Sequence, residues 1–257
     1  MSAHVSGLAM TAIKGARVHA VPEIELEETG ARGNRAFYLI DERNRMRNGK
    51  QLGKLQGVST EYDPDSGRLA LSFPDGSRVE GSVTYGPALS TGFFSRTYSA
   101  RTVLGPWSEA ISEYVGQRLR LVAPEISAID RGPEGAASLI SRASLARLAQ
   151  QAGADSVDGR RFRMLIEVDG VTAHAEDGWM SRAVRVGDAL VAVRGNVGRC
   201  LVTSRDPETG EITLPTLDLL GDYRREVEST EPLPFGVHAA VLEPGRVSVG
   251  DPVTVED

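Results

Sequence analysis

The chain has 257 residues, a formal charge of −6 and an acidic isoelectric point, so it can bury a full core but has no chain-wide basic surface for nucleic acid or an anionic membrane. Hydrophobic residues make up 40% and charged residues 25%, which excludes a disordered chain, and no run of eighteen apolar residues is present to cross a bilayer as a helix. Lysine occurs only at Lys14, Lys50 and Lys54, so the positive charge is almost all arginine, the side chain suited to forked contacts with phosphate or carboxylate.

Short strands broken by turn chemistry are predicted from Val5 to Val83. Asp63-Pro64-Asp65-Ser66-Gly67 separates Val58–Tyr62 from Leu69–Phe73, and Pro74-Asp75-Gly76 follows at once, a spacing that indicates a small β-sandwich or barrel. The stretch Tyr85–Gly105, rich in Gly, Ser and Thr around Phe93 and Phe94, reads as a connection. Two helices come next. Ser108 is expected to cap one carrying Ile111, Tyr114 and Val115, and Ser141 or Ser144 to cap another carrying Leu145, Leu148 and Ala152 before Gly153 ends it. Asp130–Ala136 between them reads as a loop.

From Arg161 onward the strand pattern returns with a short echo. Val184-Arg185-Val186-Gly187-Asp188 and Val247-Ser248-Val249-Gly250-Asp251 share one form, and Gly-Asp between alternating apolar runs predicts a hairpin at each. The expected fold class is therefore mainly β with a few helices, α+β, in two units, residues 1–85 and 86–257.

Chemistry is concentrated at few positions. Cys200 is the only cysteine, which excludes an internal disulfide and a four-cysteine zinc or iron–sulfur site within the chain. It follows Arg199 and is read either as a reactive thiolate or as a small buried hydrophobe. Lys14 ends an apolar strand before Gly15, either facing a ligand or simply facing solvent. Arg35 leaves the loop Gly30-Ala31-Arg32-Gly33-Asn34, whose backbone amides can hold an anion. Arg163 closes Arg160-Arg161-Phe162-Arg163, an anion clamp or a solvated strand entry. His174, Glu176 and Asp177 have no matching partners and are not assigned to a metal. Gly-x-Ser-x-Gly, phosphate-binding P-loop and dinucleotide fingerprints are absent.

These pieces resemble the MOSC family, named for the C-terminal domain of molybdenum cofactor sulfurase, in the branch with an N-terminal MOSC β-barrel domain that includes the amidoxime-reducing components and their bacterial counterparts. The resemblance runs from Ala12-Ile13-Lys14 and Gly33-Asn34-Arg35 through Ser141-Arg142-Ala143-Ser144-Leu145 and Arg161-Phe162-Arg163 to Ala175-Glu176-Asp177-Gly178-Trp179. It continues in Arg199-Cys200-x-x-Thr203-x-x-Asp206-Pro207-x-Thr209-Gly210 and Val249-Gly250-Asp251-Pro252.

The resemblance implies a MOSC β-barrel preceded by a smaller barrel-like domain, with a pterin molybdenum cofactor between them. It implies Cys200 as the metal ligand and Lys14, Arg35, Arg163 and Arg199 as cofactor holders, with no pyridoxal phosphate. This chain departs from the family pattern at Gly15 and Gly198, where relatives carry Ser, at Leu165, where they carry Asn, and near Glu134, where they carry hydroxyl donors. Glu134 is expected to oppose a phosphate and to pair with Arg163 or Arg35.

Three functions follow. The first is reduction of N-hydroxylated or N-oxide-like substrates with electrons from a separate reductase or ferredoxin. The second is sulfur transfer through a Cys200 persulfide loaded by a cysteine desulfurase. The third is a non-catalytic barrel. Met1-Ser2-Ala3-His4-Val5 lacks a basic and apolar leader, so a cytoplasmic location is expected.

Overall fold

The computed structural model describes residues 2–93, 96–125 and 130–256; Phe94 lies outside them. Strand is the main regular structure, with three α-helices among these residues: α1 (Trp107–Val115), α2 (Arg142–Ala152) and α3 (Thr216–Tyr223). This matches the mainly β expectation.

The largest sheet has eight strands. From one edge they are Val253–Val255, Ala183–Val186, Ala189–Asn196, Val237–Glu243, Ala137–Ser141, Ile166–Asp169, His4–Met10 and His19–Val21. Its ladder does not close, but its ends are tied. Val5 N donates to the Asp251 carbonyl and Gly250 N to the Val5 carbonyl, both at 2.8 Å. Val5, Val168, Val184, Val186, Val191, Val193 and Val237 are fully buried in the core this curled sheet encloses. At about 1.5–3 kcal/mol per buried apolar side chain, that alternation holds the register.

Ala137–Ser141 and Ile166–Asp169 run parallel, so the chain between them must cross over, and α2 lies in that crossover. Ser141 Oγ accepts from Ser144 N at 3.1 Å, and Gly153 terminates the helix at φ 63°. Both signals act as the sequence indicates. Ser108 does not cap α1, whose N-cap is Pro106. Its Oγ instead accepts from Leu121 N at 3.0 Å, because Trp107 is drawn into the core, where Nε1 donates to the Leu69 carbonyl.

Two further readings are corrected. Tyr85–Gly105 is not a connection. Thr84–Phe93 and Arg96–Leu104 form a long antiparallel pair in a five-stranded sheet with Arg120–Pro124, Tyr38–Ile40 and Met46–Arg47. Few side chains of this pair point inward, among them Thr91, Phe93, Ala100 and Val103, so little apolar alternation reached the sequence.

The two Val-Gly-Asp copies also part ways. Gly187-Asp188 turns a true hairpin, with Val186 opposite Ala189. Gly250-Asp251 turns a corner between sheets. The strand before it, Gly245–Ser248, pairs with Glu23–Glu27, and the strand after it pairs with Ala183–Val186.

The Asp206-Pro207-Glu208-Thr209-Gly210 turn is self-capped. Asp206 Oδ1 accepts from Glu208 N and Thr209 N, each at 2.9 Å. It packs against the loop near Gly53, where a Cβ on Gly210 would lie 1.9 Å from the Gly53 carbonyl oxygen, and Gly210 has φ 76°. Gly210→Ala should therefore cost more than about 2 kcal/mol, while Gly67→Ala, at φ 64° with open space around it, should cost about 1 kcal/mol. Urea unfolding of the two variants checks this; equal losses would mean that the turn is not packed on the N-terminal loop.

Candidate functional site

Lys14, Arg35, Arg163 and Cys200 line one cleft of about 280 Å³ between the segments at 14–50 and 130–203. Lys14 lies four residues beyond the first strand, its N–H donating to the Phe37 carbonyl at 2.8 Å. Gly15 follows at φ 98°, and a Cβ there would come within 3.0 Å of Gly49 N. The serine expected from the family pattern would press on this backbone and strain its own.

Arg35 and Arg163 are both held in left-handed backbone, at φ 51° and 55°. Such a conformation costs a non-glycine residue about 1–3 kcal/mol, so the surrounding structure must impose it. Arg35 N donates to the Thr11 carbonyl, and its Nη2 to the Arg163 carbonyl at 2.9 Å. Arg163 Nη1 donates to Gln56 Oε1 at 3.2 Å, while its buried Nη2 has no hydrogen-bond partner. The cation site is thus assembled across the seam.

Electrostatics follow from that gathering. Burial, opposed by Asp130 and reinforced by Arg35 and Arg163, pushes Lys14 down to about 8. Burial and then Arg35 push Arg163 down to about 9, and burial lowers Arg35 against the pull of Asp130. Among the described residues the counter-charge is Asp130, whose carboxylate accepts from Lys14 Nζ. Burial works to raise its pKa, but Lys14, Arg35 and Arg131 together hold it below the ordinary carboxylate value.

Sequence reasoning missed Asp130 and assigned the opposing role to Glu134. That expectation is corrected: Glu134 forms an ion pair with Arg194 Nε at 3.1 Å, and its carbonyl accepts from His238 Nδ1 at 2.7 Å. The short turn Gly132–Gly135 is anchored from that side, so Glu134 meets neither Arg35 nor Arg163.

Cys200 is exposed in the cleft, which overturns the reading of it as a buried hydrophobe. It precedes the turn Leu201–Ser204, and its carbonyl accepts from both Thr203 N and Thr203 Oγ1. Arg161 braces the far side of this turn by donating to the Arg205 carbonyl at 2.7 Å and to Thr213 Oγ1 at 2.8 Å.

Arg199 also lines the cleft, but its guanidinium donates to the carbonyls of Phe235 and Phe162 and to Met164 Sδ. Burial first, with Arg131 adding repulsion and Cys200 opposing it, pushes Arg199 down to about 9. Its hydrogen bonds fix the loop before Cys200 and are not available to a ligand.

The remaining departures have close neighbours. A Cβ on Gly198 would lie 2.7 Å from Glu231 Oε2, and Leu165 is buried, its N–H donating to Ser138 Oγ. Glu176 is fully buried and accepts from Ser141 N and Ser144 Oγ, while Asp177 pairs with Arg224. Among the described residues no cluster of His, Cys, Asp and Glu could hold a metal ion.

Comparison with known proteins finds two family matches. The MOSC domain model matches residues 127–254, and the MOSC N-terminal beta barrel domain model matches residues 2–120. Mitochondrial amidoxime-reducing component 1 of Homo sapiens is 33% identical over 122 residues, which cover 45% of this chain and 35% of that protein. Its Xenopus laevis counterpart is 37% identical over 99 residues, covering 36% and 28%. The match therefore spans about a third of these relatives. The YUAD protein of Bacillus subtilis superposes with a TM-score of 0.45 at 11% identity, over 98% of this chain and 94% of that one.

The depressed Lys14 has a testable consequence. Its proton is lost near pH 8 in the folded protein and near 10.5 in the unfolded chain, so between these values the unfolded state binds more protons and stability rises with pH. The difference in unfolding free energy between the wild type and Lys14→Met should shift in favour of the wild type across that window. A pH-independent difference in urea titrations would show that Lys14 is not desolvated.

Proposed function

The chain belongs to the MOSC domain family, and we propose that it binds the pterin molybdenum cofactor in this cleft, with the Cys200 thiolate as metal ligand, and reduces N-hydroxylated or N-oxide-like substrates. The observation that carries this reading is the convergence of an exposed thiol with three buried or half-buried cations in one cleft.

The donor set fits the group. A thiolate is the one strongly donating sulfur ligand the chain can offer a metal. Lys14, Arg35 and Arg163 supply the charge and N–H donors that a pterin phosphate needs, and the unpartnered Arg163 Nη2 is a donor to spare. The bound cofactor would supply the two-electron oxygen-atom chemistry.

The protein's own part is positional. Arg199 and Arg161 hold the two sides of the Cys200 turn, so that the thiol faces the cleft. Gln56 and the Thr11 carbonyl hold Arg163 and Arg35 in place against their mutual repulsion. Ser138 also lines the cleft, and its hydroxyl, which accepts from Leu165 N, can donate to a substrate oxygen.

Electrons would come from a reductase or ferredoxin, since the single cysteine of this sequence cannot hold an iron–sulfur cluster. A sulfur carrier loaded by a cysteine desulfurase would use the same exposed thiol but has no use for three converging cations, which is why the cofactor reading is preferred. No helix among the described residues is long and apolar enough to cross a membrane.

Protein produced in a cofactor-competent host should carry molybdenum and pterin near one per chain. Cys200→Ser should lose the metal almost completely, and Arg163→Ala should lower pterin content by about tenfold or more while leaving the thermal midpoint readable, on the scale of one charge-assisted contact. Metal analysis with fluorescence of released pterin checks both. Full metal content in Cys200→Ser would remove the thiolate from the site, and persulfide on a metal-free wild type would select the sulfur-transfer reading.

A further inference from the structure

The cofactor reading uses the three cations and the thiol but gives no work to the carboxylate among them. Asp130 is that carboxylate. It is paired directly with Lys14 and acts electrostatically on Arg35 and Arg163 as well. The pair is lopsided in depth: the Lys14 side chain is 6% exposed and the Asp130 side chain 42%. Lysine lies at the floor and the carboxylate on the solvent side, where an entering anion arrives.

The neighbouring residues keep it there. Arg131 is bonded to Glu231 Oε1 at 2.7 Å, and Gly132 turns the chain at φ 56°.

We propose that Asp130 is the specificity-determining residue of this anion site: a carboxylate carried by the chain itself, which pairs with Lys14 beside Arg35 and Arg163 and yields only to a phosphate dianion or phosphate monoester dianion. The inference rests on the cleft being an anion site, as the proposed function requires, and not on which metal or pterin is bound.

The physical reason is competition at high local concentration. A tethered group acts at an effective concentration on the order of millimolar, so a free monoanion carrying the same charge gains nothing by replacing it. A dianion gains about twice the Coulomb attraction from each cation at equal distance and wins the exchange. Its apparent affinity is still reduced by the fraction of molecules in which Asp130 holds the site. Discrimination by charge is therefore obtained at the expense of affinity, through one residue.

The test is calorimetric titration of the full chain, free of cofactor, with inorganic phosphate and separately with acetate in neutral buffer, below the pH at which Lys14 loses its proton. Wild type, Asp130→Asn and Asp130→Ser are compared, with thermal unfolding of each as a check on folding. The wild type should bind phosphate and show no heat with acetate. Both variants should bind phosphate about tenfold more tightly, a change of about 1.4 kcal/mol, and should gain measurable acetate binding.

In phosphate-free buffer their melting midpoints should fall below that of the wild type, because the cations lose their counter-charge, and phosphate should restore them. Equal or weaker phosphate binding by two folded variants would overturn the proposal, since the carboxylate would then not be a competitor. Absence of phosphate binding in all three proteins would overturn it as well. Pterin content of wild type from the cofactor-competent host, measured separately, would tell whether the cofactor reading fails with it.

Discussion

The antiparallel pairing of His4–Met10 with Ile166–Asp169 places everything else in the cleft. Leu8 lies opposite Ile166, and Ala9 N donates to the Leu165 carbonyl, so the chain leaving the first strand toward Lys14 runs alongside the chain arriving from Arg163. A slip of one residue would turn Val5 and Leu8 from the core to solvent, so the buried face fixes this register firmly. Two segments about 150 residues apart in sequence become neighbours through it. Lys14 and Arg163 meet because the sheet leaves them no other place.

Once gathered, the cations need restraint. Arg35 and Arg163 are held in left-handed backbone, and Gln56 and the Thr11 carbonyl come from the N-terminal part of the chain to steady them. Backbone strain, depressed basicity and an unpartnered guanidinium nitrogen coincide in one cleft. Such coincidences mark functional sites, where a fold accepts local cost in exchange for a preset geometry. Asp130 offsets part of the repulsion, so that the gathered cations can be tolerated.

The thiol is built by different means. Cys200 stands on a short turn with no regular strand or helix to hold it, so its position depends on arginines that reach backbone carbonyls. Arg199 does this from one side and Arg161 from the other. The self-capped Asp206 turn, docked on Gly53, prevents the whole loop from drifting away from the cation wall. Arginine, whose planar fork can bridge several carbonyls at once, suits this bracing better than lysine would.

Much of this was legible in the residues themselves. The Ser141 cap, the Gly153 stop and the hairpin at Gly187-Asp188 are written within a few consecutive positions, so local chemistry was enough to read them. Cys200, Lys14, Arg35 and Arg163 could be singled out by residue type and by family resemblance. What stayed hidden was what each side chain would face. The second Val-Gly-Asp copy turns a corner because its flanking strands are claimed by different sheets. Arg199 points inward and Glu134 away, because Phe235, Arg194 and His238 lie where only the folded chain brings them. Asp130 and Lys14 are 116 residues apart, and nothing near either one in sequence announces the other. A hydrogen-bonded turn is decided by neighbours along the chain, whereas a counter-charge is decided by distance through space, which only the tertiary structure sets.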